Sequence, residues 1–286
     1  MTGQQARDFY TLTKPSITRL VVITAAAGYY LGADGAIDAA RFLHTLGGTA
    51  LVAGGTNALN QWWERDVDAR MHRTRERPLP AGRLSPGAAL AFALTISIAG
   101  VAWLLWQVNG ITALLAALTL SSYVLCYTPL KKRTRLNTLV GAVPGALPIL
   151  GGWTAASGSM PAAAWMLFAV MFLWQLPHFL ALAWMYREDY RRGRLRMLSL
   201  DDPDGRRTGR HAVLWSVALA AASIALTPLG LTGASYAASA AILGAVMIGL
   251  SGAMSLRPSN AGARRLFLAS VIYLPLLMVV MVLNKQ

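Results

Sequence analysis

A chain of 286 residues that is 55% hydrophobic and only 13% charged, with a mean hydropathy of +0.46, is too apolar for water to solvate it as a globular domain. A formal net charge of +14 raises nucleic acid as a partner, but the positions of the 26 basic residues follow membrane topology and argue for no nucleic acid. The remaining class is an all-α polytopic bundle in a lipid bilayer, read as a single domain over residues 1–286.

Crossing a hydrocarbon core of about 30 Å takes roughly 20 helical residues. Nine apolar stretches meet that length, within a few residues at each end: 17–33, 42–61, 88–107, 111–129, 137–155, 162–185, 212–230, 233–254 and 265–283. With the N-terminus in the cytoplasm, the inner segments hold Arg7, Lys14 and Arg19, then six arginines from Arg65 to Arg83, then Lys131, Lys132, Arg133 and Arg135. Eight more run from Arg187 to Arg210, and Arg257, Arg264 and Arg265 close the series. Only Arg41 and Lys285 fall outside, so the positive-inside bias fits an odd number of helices and an outer C-terminus. Cys126, the single cysteine, lies within the fourth span and is read as a packing residue. No Arg- and Ser-rich presequence precedes the first span, which gives a bacterial cytoplasmic (inner) membrane as the expected address.

Nine of the twelve acids sit in two inner segments. After the second span the chain reads TNALNQWWERDVDARMHRTRERPLPAGRLSP from Thr56. On a helix at about 100° per residue, Asn57, Asn60, Glu64 and Asp68 share an arc of about 80°, while Asp66 points about 160° away from Glu64. Two carboxylates and two amide oxygens on one face are hard ligands of the kind Mg²⁺ takes beside water and phosphate. Arg70, Arg73, Arg75 and Arg77 follow as forked donors for phosphate oxygens, with Pro78 and Pro80 stiffening the loop.

Between the fourth and fifth spans lies SSYVLCYTPLKKRTRLNTLVGAVPGALPILGGW, where Lys131, Lys132 and Arg133 form a cation group that serves either topology or a diphosphate. Tyr123 and Tyr127, four apart, line a cavity or anchor the membrane interface. After the sixth span the chain reads FLWQLPHFLALAWMYREDYRRGRLRMLSLDDPDG from Phe172. His178 and Asp189 are eleven residues apart, about 20° on one face of a helix that stays straight past Pro177. Glu188 and Asp189 offer a second carboxylate site, with Arg187, Arg191 and Arg192 beside it.

Two carboxylate sites and many cations on one membrane face, beside apolar walls, match a ligand with a diphosphate head and a hydrocarbon tail, such as a prenyl diphosphate. Magnesium with Lys and Arg would stabilise departing pyrophosphate. Aromatic faces from Trp62, Trp63, Trp174 or Trp184 would shield an allylic cation from water.

The stretches NQWWERDVDARMHRTRERPLP, YTPLKKRTRLN with GAVPGALPILGGW, and WQLPHFLALAWMYREDY together resemble the membrane-embedded UbiA-type prenyltransferases, typified by 4-hydroxybenzoate polyprenyltransferase. Within that superfamily they are most similar to the protoheme IX farnesyltransferases, or heme O synthases. The resemblance implies a nine-helix bundle around a central cavity, with Mg²⁺ bridging a prenyl diphosphate. It implies catalytic and metal-holding roles for Asn60, Glu64, Asp68 and Asp189, and diphosphate contacts for Arg70, Arg73, Arg77, Lys131, Lys132, Arg133 and Arg187. Glu64 stands where the wider superfamily has Asp, and Gly193 stands where a second DxxxD acid would be, a reduced form that favours the heme O synthases. The substrates so implied are farnesyl diphosphate and heme b, with heme A synthase or oxidase-assembly partners. The resemblance places the heme acceptor near His178, Tyr123, Tyr127 and Trp174; His178 meets heme iron or a propionate, or packs the helix. The rival within the superfamily prenylates an aromatic acid or quinone precursor. A secondary transporter of an anionic substrate is disfavoured, because the carboxylates sit at one face and the midplane is nearly uncharged.

The topology has a direct check. Reporter fusions after residues 84 and 200 should both report cytoplasm, and a fusion at Gln286 should report the outer side; opposite signals at the first two sites would exclude nine spans.

Overall fold

The computed structural model describes residues 3–286, and among these the secondary structure is helical apart from one isolated bridge between Thr232 and Lys285. Twelve α-helices run in chain order: α1 (Gly3–Leu12), α2 (Pro15–Gly32), α3 (Ala39–Asp68), α4 (Pro86–Gln107), α5 (Gly110–Ser121), α6 (Thr128–Leu130), α7 (Asn137–Ser157), α8 (Ala162–Met185), α9 (Arg187–Arg192), α10 (Arg206–Ile224), α11 (Ala234–Leu256) and α12 (Asn260–Leu283). A π-helical segment, Ser122–Tyr127, joins α5 to α6.

Six candidate spans among the described residues are long and apolar enough to cross a membrane: Pro86–Gln107, Gly110–Leu130, Asn137–Ser157, Ala162–Met185, Ala234–Leu256 and Asn260–Leu283. The other three expected spans fall on α2, α3 and α10, which are less apolar. α10 ends at Ile224, short of the expected residue 230, because the chain turns through Thr227, Pro228 and Gly230. The exposed side chains of α4 include Leu94, Ile98, Leu105 and Trp106, a surface that lipid solvates and water does not. The chain is a membrane protein.

The helices form two compact units, Met1–Ser159 with Asp189–Leu195, and Met160–Glu188 with Arg196–Gln286. In the first, α3 packs along α4, and α7 packs on both α2 and α5. These approaches are close because the contacts are small: a Cβ on Gly28 would strike the Ile149 carbonyl oxygen, and one on Gly152 the Ala25 carbonyl oxygen. With no hydrophobic force to separate helix from lipid, such small-residue contacts carry the association. Toward the α1 end, Leu12, Leu59, Leu79, Leu84, Ala89 and Val124 bury one another, with Phe9 and Trp62 packed against them.

In the second unit α8 packs on α10 and α12, α10 on α11, and α11 on α12. Asp202 caps α10 by accepting from the Arg207 and Thr208 backbone N–H groups (3.3 and 2.6 Å). These amide bonds outweigh burial and hold its carboxyl below the usual range. This acid of the second cluster is thus a helix cap. α8 stops at Met185, with Tyr186 outside helical geometry, and α9 begins afresh at Arg187. The straight helix that would align His178 with Asp189 is therefore not formed.

Gly152→Ala should lower the unfolding midpoint in detergent by several degrees, since overpacking a backbone contact costs about 1–3 kcal/mol. At neighbouring Gly151 an added methyl meets nothing, so Gly151→Ala should be neutral or stabilising through helix propensity. Thermal unfolding of the two variants side by side checks this.

Candidate active site

α3 is one continuous helix through Asp68, so its spacing acts as a ruler. Asn57, Asn60, Gln61, Glu64 and Asp68 are all buried on one side. Asp66 points away: its side chain is 77% exposed and Arg65 lies 3.8 Å from it, against 1% exposure for Asp68. Each buried acid has its own cation. Lys131 Nζ lies 2.8 and 3.1 Å from the two oxygens of Glu64, and Arg77 Nη1 lies 2.7 Å from Asp68 Oδ2. Thr74 Oγ1 donates to the Asp68 carbonyl at 2.9 Å, fixing the turn that brings Arg77 back.

Lys131 arrives through the π-helical segment. Pro129 has no N–H to continue a regular helix, and Thr128 donates both its N–H and its hydroxyl (2.9 Å) to the Tyr123 carbonyl. This wide turn places Tyr123 and Tyr127 edge to face at 5.0 Å and sets the Lys131 ammonium 4.5 Å from the centre of the Tyr127 ring. Gly141 of α7 makes room, since a Cβ there would enter the Tyr127 ring. Asn60 joins the parts: its Nδ2 donates to Thr128 Oγ1 at 3.2 Å, and its Oδ1 accepts from Lys14 Nζ at 2.8 Å.

The cluster therefore contains two carboxylates and three cations, Lys14, Arg77 and Lys131. Burial works against the Lys131 charge, but Glu64 and the tyrosines outweigh it and raise its pKa above the ordinary value. Burial opposes the Glu64 charge too, and Lys131 with Lys14 and Asn60 holds the carboxyl below its usual range. Lys14 has no carboxylate of its own; burial first, then Arg77 and Lys131, push it down to about 7.

The expected residues separate into those joined and those apart. Lys131 alone of its group turns inward, while Lys132 and Arg133 are exposed, as are Arg70 and Arg73. Asp189, in the same unit, accepts from the backbone N–H groups of His72 (3.1 Å) and Arg73 (3.3 Å), with Arg192 at 3.7 Å. It ties α9 to the arginine loop. A Cβ at Gly193 would come within 3.1–3.3 Å of the Val67 and Met71 side chains, so this turn lies close against the end of α3 and the loop after it. Trp62 packs into the leucine cluster under Arg65, and Trp63 is exposed, so neither faces the buried acids. Cys126 is exposed on the π-helical segment and does not pack the interior.

In the second unit His178 Nδ1 lies 2.8 Å from Ser270 Oγ, whose own hydrogen goes to the Phe267 carbonyl at 2.6 Å. Ser270 then accepts from His178 Nδ1. Trp174 stacks on the ring at 5.2 Å and donates to the Ser270 carbonyl at 2.7 Å, and Phe267 is 4.7 Å away. Arg187 lies 4.5 Å over Trp184. Sequence reasoning missed Lys14 and Thr128. The Thr-Lys-Pro step before α2 was the only trace of the first, and the proline after Thr128 the trace of the second.

A buried cluster of paired acids and surplus cations at the ends of membrane helices defines a class, and the comparisons agree with it. Residues 21–274 match the UbiA prenyltransferase family, and the chain belongs to that family. It is 45% identical to the protoheme IX farnesyltransferase of Solibacter usitatus over 98% of this chain and 99% of that one. It is 46% identical to the protoheme IX farnesyltransferase of Anaeromyxobacter sp. over 99% and 95%. Among solved structures, a digeranylgeranylglyceryl phosphate synthase shares the fold with a TM-score of 0.82 at 17% identity, covering 98% of each chain. A UbiA homolog from Archaeoglobus fulgidus bound to GPP and Mg²⁺ shares it with a TM-score of 0.66 at 14% identity, over 96% of this chain and 99% of that one.

The Lys14 environment predicts a pH dependence. Its folded pKa of about 7 lies below the ordinary 10.5, so between those values the unfolded chain holds a proton that the folded chain has released. Folding stability should rise with pH across that window. Lys14→Met should remove that increment, read as the difference between the two proteins' unfolding midpoints from pH 7 to pH 10.

Proposed function

We propose that this prenyltransferase transfers the farnesyl group of farnesyl diphosphate to a vinyl group of heme b, giving heme O and pyrophosphate. The observation that carries the reading is the cluster of Lys14, Arg77 and Lys131 around Glu64 and Asp68, with more positive than negative groups in a buried place. Such an arrangement awaits an anion. The relatives named protoheme IX farnesyltransferase, aligned over nearly the whole chain, favour heme b as acceptor over a quinone precursor.

Farnesyl diphosphate would bring its head to the three cations, which stabilise the negative charge gathering on the departing pyrophosphate. As the allylic C–O bond breaks, the Tyr123 and Tyr127 ring faces lie beside the ammonium end of the cluster, where they can stabilise positive charge on the prenyl carbon. The vinyl group supplies the electron pair for the new C–C bond, and water adds to the resulting cation, leaving a hydroxyethylfarnesyl side chain and one proton.

The donor set fits Mg²⁺. Glu64 and Asp68 are one helical turn apart with Asn60 a turn earlier, all oxygen donors, and this cation takes one or two carboxylates together with phosphate oxygens. We propose Asn60, Glu64 and Asp68 as the residues that would hold it, with Asp189 supporting the site by fixing the loop that supplies Arg77. Bound Mg²⁺ would supply further charge neutralisation for the diphosphate. Arg70, Arg73, Lys132 and Arg133 are proposed to draw the anionic substrate toward the membrane face, a role suited to exposed charges, and Arg187, half-buried over Trp184, is proposed as a further diphosphate contact. His178, held at Nδ1 by Ser270 within an aromatic surround that includes Trp174, is proposed to meet the heme acceptor. The proposed address is the bacterial inner membrane, with the N-terminus cytoplasmic and the C-terminus outside.

Asp68→Asn and Glu64→Gln remove an anionic ligand at nearly constant volume, so heme O formation from heme b and farnesyl diphosphate should fall at least about tenfold in each. Asp66→Asn, on the opposite face, should be much milder. Equal losses at all three positions would show that helical phase does not organise the site. Product analysis of membranes containing each variant makes the measurement.

A further inference from the structure

The turn between α1 and α2 carries Lys14 into the buried cluster in an unfavourable backbone shape. Lys14 has φ 47° and ψ 68°, a left-handed conformation, and the next residue is Pro15. Residues before proline favour extended geometry, and a side chain in the left-handed region costs free energy that the surroundings must offset. The offset comes from α3. Asn57 Nδ2 donates to the Thr13 carbonyl (3.3 Å) and to Thr18 Oγ1 (3.2 Å). Gln61 Nε2 donates to the Thr11 and Leu12 carbonyls (3.3 and 2.9 Å). Those carbonyls end α1, where a helix runs out of its own donors; the Thr11 oxygen also accepts from the Lys14 backbone N–H at 3.1 Å. Asn57 and Gln61 are four apart, and Asn60 stands on the same face between them.

Thus one helix face holds the turn through two amides and receives the turn's ammonium on a third, at Asn60 Oδ1. We propose that Asn57 and Gln61 are positioning residues of the diphosphate site: by holding the Thr11–Lys14 turn they aim the Lys14 ammonium at the substrate's diphosphate. The inference rests on the prenyl diphosphate reading above. Neither residue touches substrate; each acts through Lys14. A purely packing role for these amides would loosen α1 and the whole unit without singling out the diphosphate.

The test uses the full chain in detergent or nanodiscs and Mg²⁺-pyrophosphate as the probe, with heme b titrated separately by absorbance. Asn57→Ala and Lys14→Met should each weaken pyrophosphate binding by about tenfold, and the double variant should be no weaker than Lys14→Met alone, since both remove the same interaction. Heme b affinity should stay within twofold in all three. Should Asn57→Ala fail to fold, Gln61→Met keeps the side-chain length, removes the other pair of bonds and carries the same expectation. Lys14→Gly, which tolerates the left-handed turn, should fold well and still bind pyrophosphate weakly. Multiplying losses in the double variant, pyrophosphate binding within twofold in Asn57→Ala or Gln61→Met, or parallel loss of heme binding would each overturn the inference alone. If the unaltered protein does not bind Mg²⁺-pyrophosphate, the prenyl diphosphate reading falls and the inference with it.

Discussion

Two carboxylates buried at the end of the long helix α3 impose the constraint on which the first unit depends. An unpaired buried charge costs several kcal/mol, so Glu64 and Asp68 each require a cation brought from elsewhere in the chain. The Glu64 partner comes from 67 residues away, and it reaches its place through a π-helical turn, a proline and a glycine that clears space for Tyr127. The Asp68 partner comes from the loop that immediately follows, folded back by Thr74 onto the helix end. Breaking either pair leaves a charge in a place where water cannot replace the lost partner.

A pair that only balanced would be a structural device. Lys14 makes the difference, since it adds a third cation without adding an acid. The cluster is then positively biased, with one ammonium held against an amide oxygen. Buried polarity of this kind is costly in a protein that could have used leucine, and it is intelligible as preorganised stabilisation of an anion. The same logic separates the cations by task. Arg77 and Lys131 are turned inward and fixed, whereas Arg70, Arg73, Lys132 and Arg133 stay in contact with solvent, where charge steers but binds little.

The acids that do not join the cluster have local duties. Asp202 caps α10, Asp38 caps α3 through the Arg41 N–H, and Asp189 receives two backbone amides of the loop after α3. Asp189 thereby fixes the start of the stretch that supplies Arg77. Gly193, which stands in place of a second acid, lies against the side chains of Val67 and Met71.

The sequence by itself determined the membrane setting, the helical composition and the face of α3 that carries Asn57, Asn60, Glu64 and Asp68. Each of these follows from a local rule, either a hydropathy run or the 3.6-residue period, and needs no knowledge of distant residues. It also carried the motifs of the family through most of the chain. The tertiary structure decided which cations meet which acids, because a run such as Lys131, Lys132 and Arg133 is chemically uniform until a π-helical turn sets its phase. Tertiary structure also broke the helix at Tyr186, where the helical period by itself gives no sign of a stop, and removed the alignment of His178 with Asp189. It assigned Lys14, one basic residue among many near a membrane face, to Asn60. That pairing depends on a left-handed backbone and on amides more than forty residues away, and long-range contacts of this kind leave no periodic trace in a sequence.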